Sequence, residues 1–209
     1  MPDILSTKSL SFEAMHRLEE AGISCRVHDF VQVSSRQTMA PILHDTLLVS
    51  SQNALHACDW SGKKVHCVGD QTADLLRNKK AQLLSVHQSA RAMMEHVVSL
   101  NQPCTFVCGS TRMSVVESGF SQRGVELQIV EAYDTTSNAL KIDGDLDAIL
   151  FFSPSGVHSF HQLNSLTPPA FCIGPTTGDV ARTFGHAVML PPRPSKEALV
   201  DLVLKKITP

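Results

Sequence analysis

The sequence predicts an α/β protein made of two similar parallel-sheet domains, one of them discontinuous, joined by a two-stranded β connection. Three observations carry this. Short apolar runs end in small polar residues and lead into helix-like segments, five times over. Two of those units recur about half a chain later. Two long, partly alternating segments, Ile23–Val31 and Val125–Tyr133, lie where they could carry the chain between halves. The expected boundaries are residues 1–32 with 138–209 for the discontinuous domain and 33–137 for the inserted one.

The elements follow in order. Ile4-Leu5 is a short strand, and a helix is expected from Ser11 to Ala21 with Ser11 as N-cap. Polar stretches from Ser34 to Asp45 and from Thr135 to Asp145 read as linkers. Leu47–Val49 leads through Ser50–Asn53 into a helix-like Ala54–Cys58, and Lys64–Val68 leads through Gly69–Thr72 into Ala73–Leu76. Thr105–Val107 leads through Cys108–Thr111 into a helical stretch to Phe120, and Gly119–Gly124 reads as the end of that helix. Ala148–Phe152 leads into Ser153-Pro154-Ser155-Gly156, and Ala170–Ile173 into Gly174-Pro175-Thr176-Thr177. The proline-rich turn before Glu197 hands over to a final amphipathic helix ending at Ile207. In the repeat, Val49–His56 lines up with Phe151–His158, and Val68–Asp74 with Ile173–Asp179. A duplication of this kind implies two equivalent units.

Composition narrows the function classes. With 43% apolar residues among 209, the chain can bury a real core. A formal net charge of −2 gives no global field favouring nucleic acid or an anionic membrane. No signal segment and no apolar run of bilayer length is present, so the chain is expected to be cytoplasmic. The six cysteines sit in apolar runs without the spacing of a disulfide or metal framework and read as buried free thiols. His158 and His161, three apart, lack a third ligand nearby and read as surface or satisfied histidines; no metal and no cofactor site is expected.

In parallel sheets, ligands lie beyond the carboxyl ends of the strands, where free backbone N–H groups and helix dipoles favour anions. Ser51, Asn53, Thr72, Ser110, Ser153, Ser155, Thr176 and Thr177 all fall there and could add donors. Each could equally be a plain N-cap worth about 1 kcal/mol. Glycine fingerprints, phosphate loops and nucleophile elbows are missing. Tyr133, the only tyrosine, ends a strand beside Asp134 and could donate a proton to a leaving hydroxyl, or simply pack. On residues alone, the chain is a two-lobed, anion-binding α/β protein.

These motifs resemble uroporphyrinogen-III synthases over nearly the whole chain. The strongest stretch is Ile149–Val157 followed by Phe171–Thr177. Val49–Leu55, Val65–Ala73, Cys108-Gly109 and Ala132-Tyr133-Asp134-Thr135 agree in order and spacing. Where the family often has an arginine just after the first strand, this chain has Lys8. The resemblance implies two α/β domains joined by a pair of strands, with a cleft that takes hydroxymethylbilane, a linear tetrapyrrole bearing eight carboxylates. It also implies a lyase that closes this chain into uroporphyrinogen III without metal or organic cofactor, inverting ring D through a spiro intermediate. By the same analogy Tyr133 assists hydroxyl departure. Thr72 and Thr176 bind acetate or propionate groups, helped by Ser51 and Ser153. A monomer is expected. The alternatives are an inactive binding relative on the same scaffold, a nucleotide-sugar transferase or a solute binder. The transferase would need a metal-binding acidic motif, and the Asp143–Asp147 cluster reads instead as a solvated turn.

Overall fold

Apolar β-branched runs become central strands, and amphipathic segments cover them. The computed structural model describes residues 1–37, 39–112 and 114–207. In chain order these form β1 (Asp3–Ser6), α1 (Phe12–Glu20), β2 (Ser24–Val27), β3 (Val31–Ser35), β4 (Thr46–Val49), a single 3-10 turn (Gln52–Ala54), β5 (Lys64–Val68) and α2 (Asp70–Asn78). There follow β6 (Gln82–His87), α3 (Ala90–Ser99), β7 (Cys104–Gly109), α4 (Val115–Arg123), β8 (Leu127–Ser137) and β9 (Ala148–Phe151). The chain ends with α5 (Pro154–His161), β10 (Ala170–Cys172), α6 (Pro175–Thr183), β11 (Val188–Met189) and α7 (Lys196–Ile207).

The residues fall into two compact units, Met1–Gln32 with Thr136–Pro209, and Val33–Thr135. The chain therefore passes from one to the other inside β3 and again inside β8. The second crossing lies at 135/136, where the sequence placed it at 137/138.

The first unit holds a five-stranded sheet in the order β11-β10-β9-β1-β2, and its pairings are parallel. The period-2 alternation of strand side chains divides the apolar residues between its faces. Ile4, Leu150 and Phe171 pack with Leu18 of α1 and Leu199, Val200 and Val203 of α7. Leu5, Ile149, Phe151 and Cys172 pack on the other face with Val157 and Phe160 of α5 and Ala181 of α6. A sheet covered on both faces must have strands apolar at every position, and β9 is buried at all four.

The second unit repeats the scheme with the order β3-β8-β7-β4-β5-β6, parallel from β8 to β6. Leu47, Val49, Val65, Cys67 and Val107 face Trp60 and the Ala73 and Leu76 of α2. Leu48, Phe106, Cys104 and Cys108 face Met93 and Val97 of α3 and Val116 and Phe120 of α4. All six cysteines are free thiols, four of them buried.

Several local expectations hold and several do not. Ser11 caps α1, accepting from the Ala14 N–H at 3.2 Å. Gly124 ends α4 in the left-handed conformation at φ 65°, where glycine carries no Cβ penalty. The helix-like Ala54–Cys58 is only the end of a 3-10 turn. Between β4 and β5 Trp60 fills the space in place of a crossover helix, its indole N–H donating to the Leu55 carbonyl at 2.9 Å. The long segment Ile23–Val31 is broken into β2 and the start of β3 in different sheets. Phe30 is drawn into the first unit's core, and Asp29 accepts from the Ser9 backbone at 2.6 Å. Residues 81–103 carry no element in the sequence reading, and the structure places β6 and α3 there. The last helix begins at Lys196, one residue early, with Ser195 accepting from the Ala198 N–H.

Candidate functional site

Strands of a parallel sheet all end on one edge, and that edge is where loops and helix N-termini gather donors. In the second unit β4, β7 and β8 are adjacent, which brings Ser51, Ser110 and Tyr133 together. The Tyr133 side chain is 9% exposed, and its hydroxyl hydrogen-bonds to Ser51 and to the Gly109 backbone. Burial raises the phenol above its usual pKa, and those two hydrogen bonds only partly oppose it. The ring lies flat against Gly109: a Cβ there would stand 2.6 Å from Tyr133 Cε2 and 3.1 Å from the hydroxyl oxygen. The Ser110 N–H donates to the Tyr133 carbonyl at 2.9 Å, and its hydroxyl bonds Asp134. Ser51 also accepts from the Asn53 N–H at 3.2 Å, capping the 3-10 turn.

Two arginines complete this edge, and sequence reasoning missed both. Arg36 grips Asp134 with Nε and Nη2 at 3.0 and 2.8 Å and reaches Glu131 with Nη1 at 2.6 Å. Arg112 donates to Glu117 at 2.6 Å, to the other Glu131 oxygen at 3.0 Å and to the Gly109 carbonyl at 2.9 Å. Glu131 thus bridges two guanidinium groups. Arg36 and then Ser110, by hydrogen bonding, pull the Asp134 carboxyl down to about 2. The signal was indirect: two carboxylates flank Tyr133 on one strand, so cations were needed, but Arg36 sat in a stretch read as linker. Backbone and side chain around Tyr133 are fixed from three directions.

Thr72 lies in the first turn of α2, buried, behind an N-cap, Gly69, that offers no side chain. Gly69 stands at φ 82°, a conformation an L side chain rarely adopts. The N-terminal N–H groups of α2 are therefore not closed off by a capping oxygen.

The first unit contrasts with this. Ser153 caps α5, accepting from the Gly156 N–H at 3.1 Å, and its hydroxyl lies 3.0 Å from that of Ser155. Gly174 caps α6 without a side chain, as Gly69 does for α2; Thr176 is exposed beyond it and Thr177 is buried. The candidates thus divide: Ser51 and Ser153 are caps, whereas Thr72 and Thr176 sit on helices without a side-chain cap.

Another cation, also missed, stands here. Lys196 opens α7, donates to the Ser9 carbonyl at 2.9 Å and lies 5.8 Å over the Phe152 ring. Burial, followed by repulsion from Lys8, pulls its ammonium below the usual value. Lys8 itself is exposed at the end of β1. Lys196 borders a hollow of about 380 Å³ lined by Ser9, Ser11, Arg17 and Glu197. A lysine just after a proline-rich turn gave no pattern to detect in the sequence. His161 proves satisfied, with Nδ1 at 3.0 Å from the Asn164 carbonyl and its ring stacked on Phe184. Among the described residues no helix is long and apolar enough to cross a membrane.

Known proteins share this fold. Along its whole length the structure is similar to a uroporphyrinogen-III synthetase from Helicobacter pylori, with a TM-score of 0.69 at 14% identity, covering 98% of this chain and 99% of that one. It is similar to a mutant uroporphyrinogen III synthase from Thermus thermophilus, with a TM-score of 0.68 at 12% identity, covering 98% and 97%. At such identities these likenesses speak for the fold. No curated protein sequence gives a significant match. The family model described as HEM4, uroporphyrinogen-III synthase HemD, matches residues 16–201. Since that match spans most of the chain and contains every candidate residue but Lys8, the chain belongs to the uroporphyrinogen-III synthase family.

Proposed function

We propose that Tyr133 assists departure of the terminal hydroxyl in the cyclisation of hydroxymethylbilane that defines this family of lyases. One observation carries the assignment: the chain's single tyrosine is a buried phenol whose hydroxyl meets Ser51 and the Gly109 backbone, its ring packed on a glycine that leaves it room. A phenol kept protonated at neutral pH can give its proton to a leaving hydroxyl, which departs as water. The azafulvene cation so formed is attacked by the substituted carbon of ring D, giving a spiro intermediate. Fragmentation and re-closure at the free carbon invert the ring, and loss of a proton restores the pyrrole. The net change is loss of one water.

The remaining residues hold the bilane's carboxylates. Thr72 on α2 and Thr176 with Thr177 on α6 offer hydroxyls and uncapped backbone N–H groups. Ser51, Asn53, Ser110, Ser153 and Ser155 add donors at neighbouring strand ends. Lys8 and Lys196 add positive charge where the sequence reading had only Lys8. Free closure of the bilane yields the symmetrical isomer, so catalysis rests on holding the chain in the shape that favours the spiro path. We place the reaction in the cytoplasm, with a monomer as the working unit.

The test is the porphyrin isomer formed when purified protein receives freshly generated hydroxymethylbilane, resolved by chromatography after oxidation. Dominant isomer III from wild type, with slow turnover by Tyr133→Phe, supports the assignment. Unchanged kinetics in Tyr133→Phe removes Tyr133 from the mechanism. Isomer I at the uncatalysed rate from folded wild type favours a binding relative.

A further inference from the structure

The second unit gathers three histidines that the cyclisation does not use. His66 lies in the middle of β5, His87 ends β6, and His96 sits on α3. Their ring centroids are 6.4, 5.7 and 5.2 Å apart, and one ring nitrogen from each falls within 4.8 Å of the others. Burial grades outward, with His66 at 2% exposure, His87 partly buried and His96 exposed. The cluster therefore has a fixed floor and an open mouth.

His66 supplies the pointed observation. Its Nε2 is buried without a hydrogen-bond partner, which is uncommon for an imidazole this deep in a fold. The other nitrogen, Nδ1, lies 2.6 Å from Ser85 Oγ, and the same oxygen contacts His87 Nε2. A serine oxygen has two lone pairs and can accept an N–H from each ring. In that arrangement the second nitrogen of both rings carries a lone pair, as metal ligation requires.

We propose that His66, His87 and His96 form a binding site for a divalent transition ion of the zinc type, with Ser85 orienting two of the three ligands. Neutral imidazoles are the required ligand form. Burial, with repulsion from His96 and His87, holds His66 at about 4, and burial with repulsion from His96 lowers His87 as well. Three imidazoles and a solvent molecule make a common tetrahedral set for Zn²⁺, whose nitrogen ligands lie roughly 3.4 Å from one another. Since the three nitrogens lie within 4.8 Å of one another, reaching that separation takes at most about 1.4 Å of closure, and rotation of the exposed His96 side chain can supply its share. An all-nitrogen set disfavours Ca²⁺ and Mg²⁺, which take oxygen ligands. A bound ion would tie β5, β6 and α3 together. The site stands apart from Tyr133 and its neighbours, so the tetrapyrrole reading and this one succeed or fail separately.

The experiment uses the full-length, metal-stripped protein. Zn²⁺ is titrated at pH 7.5 by calorimetry, Co²⁺ by visible absorption, and melting temperature is followed with and without Zn²⁺. The variants are His96→Ala, whose exposed side chain leaves the core intact, and His16→Ala, an exposed histidine of the other unit. The expected result is one equivalent bound by wild type and His16→Ala, with four-coordinate Co²⁺ absorption and a raised melting temperature. His96→Ala should bind at least about 10-fold more weakly and lose the melting shift. Absence of saturable one-equivalent binding in wild type, or equal affinity in His96→Ala, overturns the proposal.

Discussion

Gly109→Ala tests whether the placement of Tyr133, rather than its mere presence, governs turnover. The backbone of Gly109 is not in the left-handed region, so alanine adds no dihedral strain. What it adds is a Cβ 2.6 Å from Tyr133 Cε2 and 2.8 Å from Cζ, against a backbone held between β4 and β8. Ordinary contact begins near 3.4 Å, so the ring must retreat by roughly 0.8 Å. Overpacking of this kind costs about 1–3 kcal/mol of stability. Misplacing a reacting group by about 1 Å can cost up to about 100-fold in rate. We expect kcat to fall about 10- to 100-fold in Gly109→Ala, and about 100-fold in Tyr133→Phe. The double variant distinguishes the cause. In the Tyr133→Phe background the ring remains, so the stability cost should persist, but the hydroxyl is gone and little further loss of kcat should follow. The assay is single-turnover formation of isomer III from freshly generated bilane, paired with urea unfolding. Wild-type kcat in Gly109→Ala, or an equal kcat loss in both backgrounds, refutes the reasoning.

Other expectations are simpler. Asp134 titrates at about 2 in the fold against a usual 3.8, so its pairing with Arg36 contributes stability above pH 4 that is lost as pH falls toward 2. The difference in melting temperature between wild type and Asp134→Asn should therefore shrink steadily across that window; a constant difference would show that the charge is not the cause. Lys196→Gln should raise KM for the bilane by about 10-fold with isomer III still dominant, as loss of one carboxylate contact predicts. An unchanged KM would leave Lys196 a structural residue. Cys67 is pushed by burial to about 11, and Cys108 and Cys172 to about 12. These thiols should react with an alkylating reagent only on unfolding, and mass-spectrometric labelling of the native protein at pH 8 would reveal any exception.

Much of this molecule is written in local pattern. Strand β9 is apolar at four successive positions, a run that only a sheet covered on both faces can bury, and the small-polar loops after it and after β10 mark the carboxyl edge. Ser11 and Gly124 announce the ends of their helices because capping is a property of one or two residues. Even Tyr133 was visible as the lone tyrosine, although the strand it was read to end, β8, runs four residues further to Ser137. What lies between strands was harder. The exposed edge strand β6 lacks a continuous apolar run, and the matching loop after β4 holds Trp60 in place of a helix, so the repeat overstates the likeness of the halves.

The tertiary structure alone decided which polar residues meet. Ser51 and Tyr133 are far apart in the chain and become partners because β4, β7 and β8 lie side by side; Arg36 and Arg112 converge on Glu131 for the same reason. Lys196 reaches Lys8 across nearly the full length of the chain. His66, His87 and His96 show no ligand spacing, since they come from two strands and a helix that only packing brings together. Periodicity and capping depend on neighbours a few residues away, and any sequence displays them. Charge pairs, buried phenols and ligand clusters depend on strand order, which is set by long-range burial of apolar faces and leaves no mark at the polar residues themselves.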